Sequence, residues 1–565
     1  MARLSQQPLL PAERTPRQPT NEATLPEEVR SAPSATDPLI VRAAPRHRFF
    51  PPRPLKMTWA RAGVMAAAVV VIAGTAGRFL APSGLWLDEA LSVNISKLTL
   101  LKLPGALLQD GSPPLYYLML HYWMLLFGQG DFAVRALSGI FSVATLPLLW
   151  FTGLRLGGRR MAWAALLLAA SSPWAIYYAT DTRPYSLMAL EAVAWYLALA
   201  RATEQPTRGR LAVLSALTAV LMYTHYWDLY LVAVGGAWVL WRWRRESRGG
   251  PNTDPRSATG AARRVFWALC GGVLLWLPWS PVFVYQVRHT GTPWSSPPGP
   301  QNLLGVFSLF AGPGGWGALL TYVLFILVGL ALFAHLGPKA SSVVVELRVQ
   351  PRAREVGLLV VGTLSLAVAA GMVTGAAFDS RYIAVVFPLF VLLCSLGLTT
   401  FASPKVTSAI LAVACMAGLF SAQLQGAQPR AQAVQVADVL NVEAQPGDVV
   451  VYCPDQLGPA VSRLLKVPRV TQLTFPRMTG PDRVDWVNYV SVIRHTDVGT
   501  FAQEVFSQLS PQNTLWLVWR DGYKGFGSDC GNLASWFQMW RPGGEPVIKA
   551  NPRYYEYENL EQFRS

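Results

Sequence analysis

Charged residues are scarce in this sequence. They make up 14% of its 565 residues, against roughly 25% in soluble globular proteins, whereas hydrophobic residues make up 52%. This shortage excludes a protein that is soluble over its whole length. Many apolar runs approach the roughly 20 residues that one helix needs to cross a bilayer. The sequence therefore predicts a polytopic membrane protein.

Several chemical signatures are also missing. No spacing of Cys and His fits a zinc site, and neither a P-loop nor a Gly-x-Ser-x-Gly elbow is present. These absences remove the usual support for nucleotide-driven transport and serine hydrolysis. Cysteine is rare, and of the five only Cys453 and Cys530 lie outside apolar runs. These two either pair as a disulfide in an oxidising compartment or stay free thiols.

Positive charge exceeds negative charge, with 48 Lys and Arg, 32 Asp and Glu, and a net charge of +16. In a soluble protein this excess would suggest nucleic acid, but in a membrane protein Lys and Arg collect in cytoplasmic loops. Residues 1–56 are rich in Pro and Arg and lack apolar periodicity, which predicts a disordered cytoplasmic tail. We therefore expect no nucleic-acid partner.

The basic loops fix a topology, because an even number of crossings must separate any two cytoplasmic loops. Three apolar stretches lie between the tail and Arg155, so the shortest, at about 115–127, is predicted to be interfacial or re-entrant. The remaining stretches predict about eleven spanning helices. They are expected near 57–80, 132–154, 161–178, 185–201, 210–225, 227–243, 265–286, 316–335, 356–377, 383–401 and 407–424.

This topology divides the chain into an all-α membrane domain at 57–424, with a first outer loop at 81–131, and a more polar part. In the polar part, 448–453 and 514–519 have the apolar runs of strands. We expect a small extracytoplasmic α/β domain at 425–565. Its aromatic residues either bind glycan or fill a core.

Ionisable residues gather in the predicted outer loops. The acidic pair Asp88-Glu89 follows the first spanning helix, and Asp110 lies in the same loop. Adjacent carboxylates serve as a general base, hold a metal, or merely cap a helix, and the pair alone leaves all three open. His225, in an aromatic run, either binds a phosphate or sugar hydroxyl or packs at the interface. Such groups at helix ends in lipid indicate a functional site.

Two Arg-Tyr pairs lie on the same predicted side, Arg183 with Tyr185 and Arg381 with Tyr382. A planar guanidinium suits a phosphate, and a phenol adds a hydrogen bond. The two pairs therefore suggest one anionic ligand held from two sides. The alternative for Arg183 is an ion pair with Asp181 that fastens two helices.

The chain resembles the membrane glycosyltransferases of the C superfamily (GT-C) from about residue 57 to 425. Within this superfamily, the chain is similar to a bacterial branch that resembles glycosyltransferase family 39. That branch is related to the protein O-mannosyltransferases and to the aminoarabinose transferase of lipid A. Ser112 stands where the family usually has His. The segments that carry the resemblance are Leu87–Ala90, Asp110–Tyr117, Tyr177–Leu187, Tyr223–Tyr226 and, more weakly, Ser380–Tyr382.

The resemblance implies that a sugar moves, with inversion, from a polyprenyl-phosphate donor to an acceptor hydroxyl on the outer face of the cell membrane. Asp88 would be the general base, with Glu89 assisting or orienting it. No obligatory metal is expected, although these carboxylates with Asp181 are a candidate divalent-cation site. The residues implied to bind donor phosphate or substrate are Asp110, Asp181, Arg183, Tyr185, His225, Arg381 and Tyr382.

Two other functions fit the same residues. A transporter or flippase of lipid-linked sugars would bind substrate at the same arginines, but it would need paired broken helices and internal repeats, and no clear repeat is present. A glycan-binding scaffold would instead act through the polar C-terminal part. The sequence leaves open whether the sugar is a hexose or a pentose, and whether the acceptor is protein, lipid or polysaccharide.

Overall fold

The computed structural model describes residues 59–248, 259–336 and 343–564. The predicted tail at 1–56 lies outside the described residues. Most of the described chain is helical, and an α/β part follows the last long apolar helix. The structure is therefore mostly α-helical, as the sequence predicts.

The helices of the apolar part form where Ala, Leu and Val dominate and turn signals are absent. In the described chain they are α1 (Trp59–Gly77), α2 (Leu87–Ser96), α3 (Leu103–Asp110), α4 (Leu115–Phe127), α5 (Asp131–Ala170), α6 (Pro173–Ala179), α7 (Tyr185–Glu204), α8 (Arg208–Thr224), α9 (Asp228–Arg248), α10 (Thr259–Trp276), α11 (Ser280–His289), α12 (Asn302–Ala311), α13 (Gly314–Phe333), α14 (Pro351–Thr374), α15 (Phe387–Leu398) and α16 (Pro404–Ala427). A short hairpin of β1 (Ala334–Leu336) and β2 (Val343–Val345) follows α13.

Fewer helices meet a strict length and hydropathy criterion than the eleven predicted spans. Within the described residues, five helical segments are long and apolar enough to cross a membrane. The other predicted spans coincide with helices that are shorter or carry more charge. The segments are Asp131–Ala170, Gly260–His289, Gly314–Phe333, Pro351–Thr374 and Pro404–Ala427.

The basic loop predicted between 132–154 and 161–178 falls on a break inside α5. Gly157 and Gly158 have non-helical backbone angles, and Gly158 has a φ of 75°. Glycine adopts this left-handed conformation without the steric cost that a Cβ brings. A second break follows Ala170, and Ser172 caps α6 by accepting a hydrogen bond from the Ala175 N–H at 3.3 Å.

The first predicted outer loop contains the three short helices α2, α3 and α4. The stretch predicted to be interfacial forms α4, which has 13 residues. Tyr116 of α4 is buried, and its hydroxyl lies 3.0 Å from the Ser138 hydroxyl of α5. The loop therefore packs on the helical bundle and gives α2 a fixed position at its edge.

Small residues let the long helices approach one another closely. Gly397 of α15 faces the backbone of α13, where a Cβ would overlap the carbonyl group of Leu327. On the other side of α13, Gly329 has open space around it. The close contact between α13 and α15 thus depends on glycine, which has no Cβ, at position 397.

The C-terminal α/β domain, residues 430–564, contains a five-stranded sheet in the order β4-β3-β5-β7-β6. The strand β3 is parallel to β4 and β5, while β7 is antiparallel to β5 and β6. The predicted strands at 448–453 and 514–519 are confirmed as β3 and β5. The strands are β3 (Val449–Cys453), β4 (Thr471–Thr474), β5 (Leu515–Trp519), β6 (Glu545–Ile548) and β7 (Asn559–Phe563).

Helices cover both faces of this sheet, and its parallel strands β3 and β5 contain only apolar and aromatic residues. Val449 and Val451 pack in one core and Val450 in the other. Cys453, at the end of β3, forms a disulfide with Cys530. The helices are α17 (Ala433–Glu443), α18 (Gly458–Ser462), α19 (Tyr489–His495), α20 (Val498–Ser507) and α21 (Asp529–Trp540).

Candidate functional site

Asp88 is the second residue of α2 and forms an ion pair with Arg381, which lies between α14 and α15. The Arg381 side chain is also 3.4 Å from Asp379 Oδ1. Its guanidinium carbon lies 4.7 Å from the centre of the Trp294 ring and 5.7 Å from that of Trp86. Two of the sequence-predicted residues, separated by most of the apolar part, therefore meet directly.

Arg183 lies beside this pair in a hydrogen-bonded chain. Its Nη1 donates to the Tyr117 hydroxyl at 3.1 Å and to Ser92 Oγ at 3.3 Å, and its Nε donates to Tyr185 at 3.4 Å. The Tyr117 hydroxyl in turn donates to Asp110 Oδ2 at 2.7 Å. Among the described residues, no carboxylate lies within ion-pair distance of Arg183. Its positive charge is thus held in place by neutral groups.

Glu89, the other member of the acidic pair, is completely buried. It accepts hydrogen bonds from Arg135 Nε at 2.7 Å and from the Thr182 N–H at 3.0 Å, and Arg430 Nη1 lies 3.5 Å away. Burial raises the pKa of Glu89, but the two arginines outweigh it and leave the pKa below its ordinary value. Asp88 and Glu89 therefore have different surroundings, although they are neighbours in sequence.

Asp181 belongs to the same buried cluster as Glu89. It accepts a hydrogen bond from Trp86 Nε1 at 3.2 Å and lies 3.8 Å from Arg430. Burial, together with the charge of Glu89, raises the pKa of Asp181 to about 6. The ion pair between Arg183 and Asp181 that the sequence left open is not formed in the described chain.

His225 directly follows α8 and lies against the second Arg-Tyr pair. Its ring centre is 5.0 Å from that of Tyr382 and 6.2 Å from that of Tyr185. Its Nδ1 accepts a hydrogen bond from the Trp227 N–H at 3.2 Å. Burial, with the charges of Arg183 and Arg381, lowers the pKa of His225 to about 3, so the ring is neutral near pH 7.

A cavity of about 420 Å³ opens between the start of α2, the Arg381 segment and the C-terminal α/β domain. Asp88 and Arg381 line it, whereas Glu89, Asp181 and the other predicted residues do not. A volume of this size is within the roughly 300–1,000 Å³ of small-molecule sites. The cavity therefore brings a carboxylate and a guanidinium to one surface that a substrate can reach.

Sequence reasoning missed four residues of this region. Arg135 is a charged residue near the start of a predicted spanning helix, and an ionisable residue there is itself a signal. Tyr117 lies in a segment that carries the family resemblance. Arg430 and Glu556 come from beyond the last apolar helix, and no local pattern marks them. The Leu87 N–H donates to Glu556 at 2.9 Å, so the C-terminal domain contacts the start of α2.

No three His, Cys, Asp or Glu side chains in the described ranges form a group able to hold a metal ion. The candidate carboxylate set of Asp88, Glu89 and Asp181 is divided instead among arginines. Arg381 pairs with Asp88, while Arg430 lies near the other two.

Comparison with known proteins gives one family match and several similar structures. Residues 111–249 match the model of the dolichyl-phosphate-mannose-protein mannosyltransferase family. This segment includes Arg183, Tyr185 and His225. A search of curated proteins gave no match.

Two crystal structures of ArnT from Cupriavidus metallidurans share the fold over most of both chains. The structure bound to undecaprenyl phosphate has a TM-score of 0.58 and 13% identity, covering 90% of this chain and 99% of the other. The structure in the apo state has a TM-score of 0.55 and 14% identity, covering 89% and 97%. Together with its apolar helices, this likeness makes the chain a multi-pass membrane protein that shares the fold of ArnT.

Proposed function

We propose that the chain transfers one sugar from a polyprenyl-phosphate donor to an acceptor hydroxyl on the outer face of the cell membrane, with inversion. The observation that carries the proposal is the pairing of Asp88 with Arg381 on the wall of the cavity. The ArnT structure of similar fold is described as bound to undecaprenyl phosphate, which supports a donor of this class.

Asp88 is the general base of the proposed reaction. The acceptor oxygen attacks the anomeric carbon as the bond from that carbon to the phosphate oxygen breaks, and the hydroxyl proton passes to Asp88. The phosphate leaves with the bonding electron pair. A positioned carboxylate contributes roughly 10²- to 10⁴-fold to such a step, because an alcohol is a poor nucleophile until it loses its proton. A single displacement inverts the anomeric centre.

Arg183 and Arg381 neutralise the leaving phosphate. Among the described residues, the Arg183 guanidinium hydrogen-bonds only to hydroxyl groups, so its charge is available to an anion without breaking an ion pair. Arg381 is shared between Asp88 and Asp379, and a bound phosphate competes with these carboxylates. Cations that are already in place stabilise the charge that develops on the phosphate in the transition state. Such electrostatic stabilisation is usually the largest single contribution to catalysis.

Two other predicted residues, Glu89 and Asp110, position these groups. Glu89 has no exposed surface and joins α2 to Arg135, so it orients Asp88 rather than touching substrate. Asp110 orients Arg183 through Tyr117. The reaction as proposed needs no obligatory divalent cation.

The test uses the full-length protein in lipid nanodiscs with polyprenyl-phosphate hexose and pentose donors and an envelope lipid extract as acceptor. Release of free polyprenyl phosphate and transfer of labelled sugar are measured together. The wild type is expected to give both, and Asp88→Asn to lose both while keeping its unfolding temperature. Asp438→Asn, an exposed change in α17, is the matched control.

Two results contradict the proposal. Near wild-type transfer by Asp88→Asn removes the base assignment. If the wild type moves the intact donor across vesicle membranes and releases no polyprenyl phosphate, the protein is a flippase.

A further inference from the structure

The cavity beside Asp88 has a second wall, which belongs to the C-terminal α/β domain. Aromatic side chains from both parts of the chain surround the space, and Tyr555 packs edge-on against Trp86 with ring centres 5.3 Å apart. Tyr555 remains 54% exposed, so part of its side chain is available to a ligand. The aromatic lining residues are Trp86, Trp294, Trp486, Tyr489, Tyr523 and Tyr555.

Arg520 follows β5 and also lines the cavity. Its guanidinium carbon lies 3.4 Å from the centre of the Tyr557 ring and 5.8 Å from that of Tyr523. Among the described residues, its side chain makes no hydrogen bond and has no carboxylate within ion-pair distance. When the flat face of a guanidinium stacks on an aromatic ring, the N–H groups at its edge stay free. These N–H groups can donate two parallel hydrogen bonds to a carboxylate or phosphate.

The other charged groups of the cavity already have partners. Arg381 is paired with Asp88, and the Lys524 ammonium donates to the Ser295 carbonyl. Glu556 accepts the Leu87 N–H, and burial, with the nearby charge of Asp88, raises the pKa of Glu556 to about 8. Glu556 is therefore largely protonated near pH 7 and leaves the positive charge of Arg520 uncompensated.

We propose that this cavity is the acceptor subsite, that it takes a sugar ring carrying an anionic group, and that Arg520 selects that group. The inference rests on the proposed function and adds the class of the acceptor to it. Sugar rings present an apolar face of C–H groups that fits aromatic walls, and the polar groups of a mostly apolar pocket fix orientation and specificity. With its anion on Arg520, the acceptor lies in the same cavity as Asp88, the base that takes its proton.

The test measures binding of three small probes to the full-length protein in nanodiscs by saturation-transfer NMR titration. The probes are methyl β-glucoside, methyl β-glucuronide and glucose 1-phosphate, which share a ring and differ in charge. The wild type is expected to bind the acidic probes more tightly than the glucoside. The two acidic probes distinguish a carboxylate from a phosphate as the preferred group.

Arg520→Gln is expected to weaken binding of the preferred acidic probe roughly 10- to 100-fold and to leave the glucoside unchanged, since one charged hydrogen-bonded contact is lost. Tyr555→Ala, which removes a ring without touching the charge, should weaken all three probes. Arg553→Gln, an exposed arginine of the same domain, is the matched control. Unfolding temperatures within error of the wild type show that the variants fold.

Equal binding of the glucoside and both acidic probes by the wild type overturns the inference, as does unchanged binding in Arg520→Gln. These results are separable from failure of the proposed function. If the wild type transfers sugar but Arg520→Gln has an unaltered acceptor KM, the subsite is wrong and the transferase stands. If charge-selective binding depends on Arg520 but no polyprenyl phosphate is released, the subsite stands and the transferase is wrong.

Discussion

Arg430 reaches from the start of the C-terminal domain into the buried cluster of the first loop, where its Nη1 lies 3.5 Å from Glu89 Oε1. The same nitrogen donates to the Thr180 carbonyl at 2.6 Å and lies 3.8 Å from Asp181. One cation thus links the loop that follows α6, the helix that carries Asp88 and the α/β domain.

Arg430→Met should destabilise the protein strongly. The substitution keeps much of the side-chain volume. Among the described residues it leaves no cation within ion-pair distance of Asp181 and only Arg135 beside Glu89. Removing one partner from a buried ionic cluster costs about 3–5 kcal/mol, because the remaining charge stays desolvated. The measurement is the unfolding temperature in detergent, with Arg553→Met as the exposed control. An unfolding temperature equal to that of the control would show that the cluster contributes little.

Arg183→Lys should weaken use of the donor while the fold remains intact. A lysine keeps the charge but lacks the fork that contacts Tyr117, Ser92 and Tyr185 together. We expect the donor KM to rise about tenfold, which corresponds to roughly 1.4 kcal/mol of lost binding. Arg494→Lys, on the exposed side of α19, is the control. An unchanged donor KM would make Arg183 a structural residue only.

Glu556 should make stability fall as pH rises. Burial, then the charge of Asp88, raises its pKa from 4.5 to about 8 in the folded protein, so the folded state holds this proton more tightly than the unfolded state. The stabilisation is complete below pH 4.5 and is lost as pH rises through about 8. Glu556→Gln removes this titration, so its unfolding temperature should change less between about pH 5 and pH 9 than that of the wild type.

The control for this pH experiment is Glu545→Gln, an exposed glutamate in the same domain. It should follow the wild-type pH dependence. A Glu556→Gln profile parallel to the wild type would mean that Glu556 does not hold its proton near neutral pH.

Gly397→Ala should lower the yield and the unfolding temperature of the folded protein. Its new methyl group would overlap the Leu327 carbonyl and force α13 and α15 apart. Gly329→Ala, within α13, meets open space and should be neutral or slightly stabilising, because alanine favours a helix by about 1 kcal/mol over glycine. Fluorescence-detected size-exclusion chromatography after heating compares the two variants. Equal behaviour would show that the helices adjust at no cost.

Much of the helical framework could be predicted from hydropathy alone, since each apolar run forms a helix. The break at Gly157 and Gly158 also falls where a basic loop was expected. The number of spans could not be fixed this way, because helices such as α9 carry several arginines and α8 has only 17 residues. Hydropathy measures transfer into lipid, whereas such helices are stabilised partly by their neighbours.

The candidate site was predictable only in part. Asp88, Arg183 and Arg381 stand out as charges at the ends of apolar runs, and that local signal is present in the sequence. The long-range contacts that surround the site carry no such local signal. Arg430 meets Thr180 across 250 residues and Glu556 meets Leu87 across 469, so no sequence window contains both sides of either contact. Only the folded backbone shows that Glu89 is enclosed while its neighbour Asp88 lines a cavity.

The hydrogen bond from the Leu87 N–H to Glu556 also sets an order of events during biosynthesis. Leu87 is made early, and 469 residues separate it from its acceptor in the chain. The start of α2, which carries Asp88, must therefore wait without this hydrogen-bond acceptor until Glu556 has been made. A chain whose synthesis has reached only the end of α16 has all of its apolar helices but only one wall of the cavity. The proposed transfer therefore requires the C-terminal domain to dock, in addition to insertion of the last apolar helix.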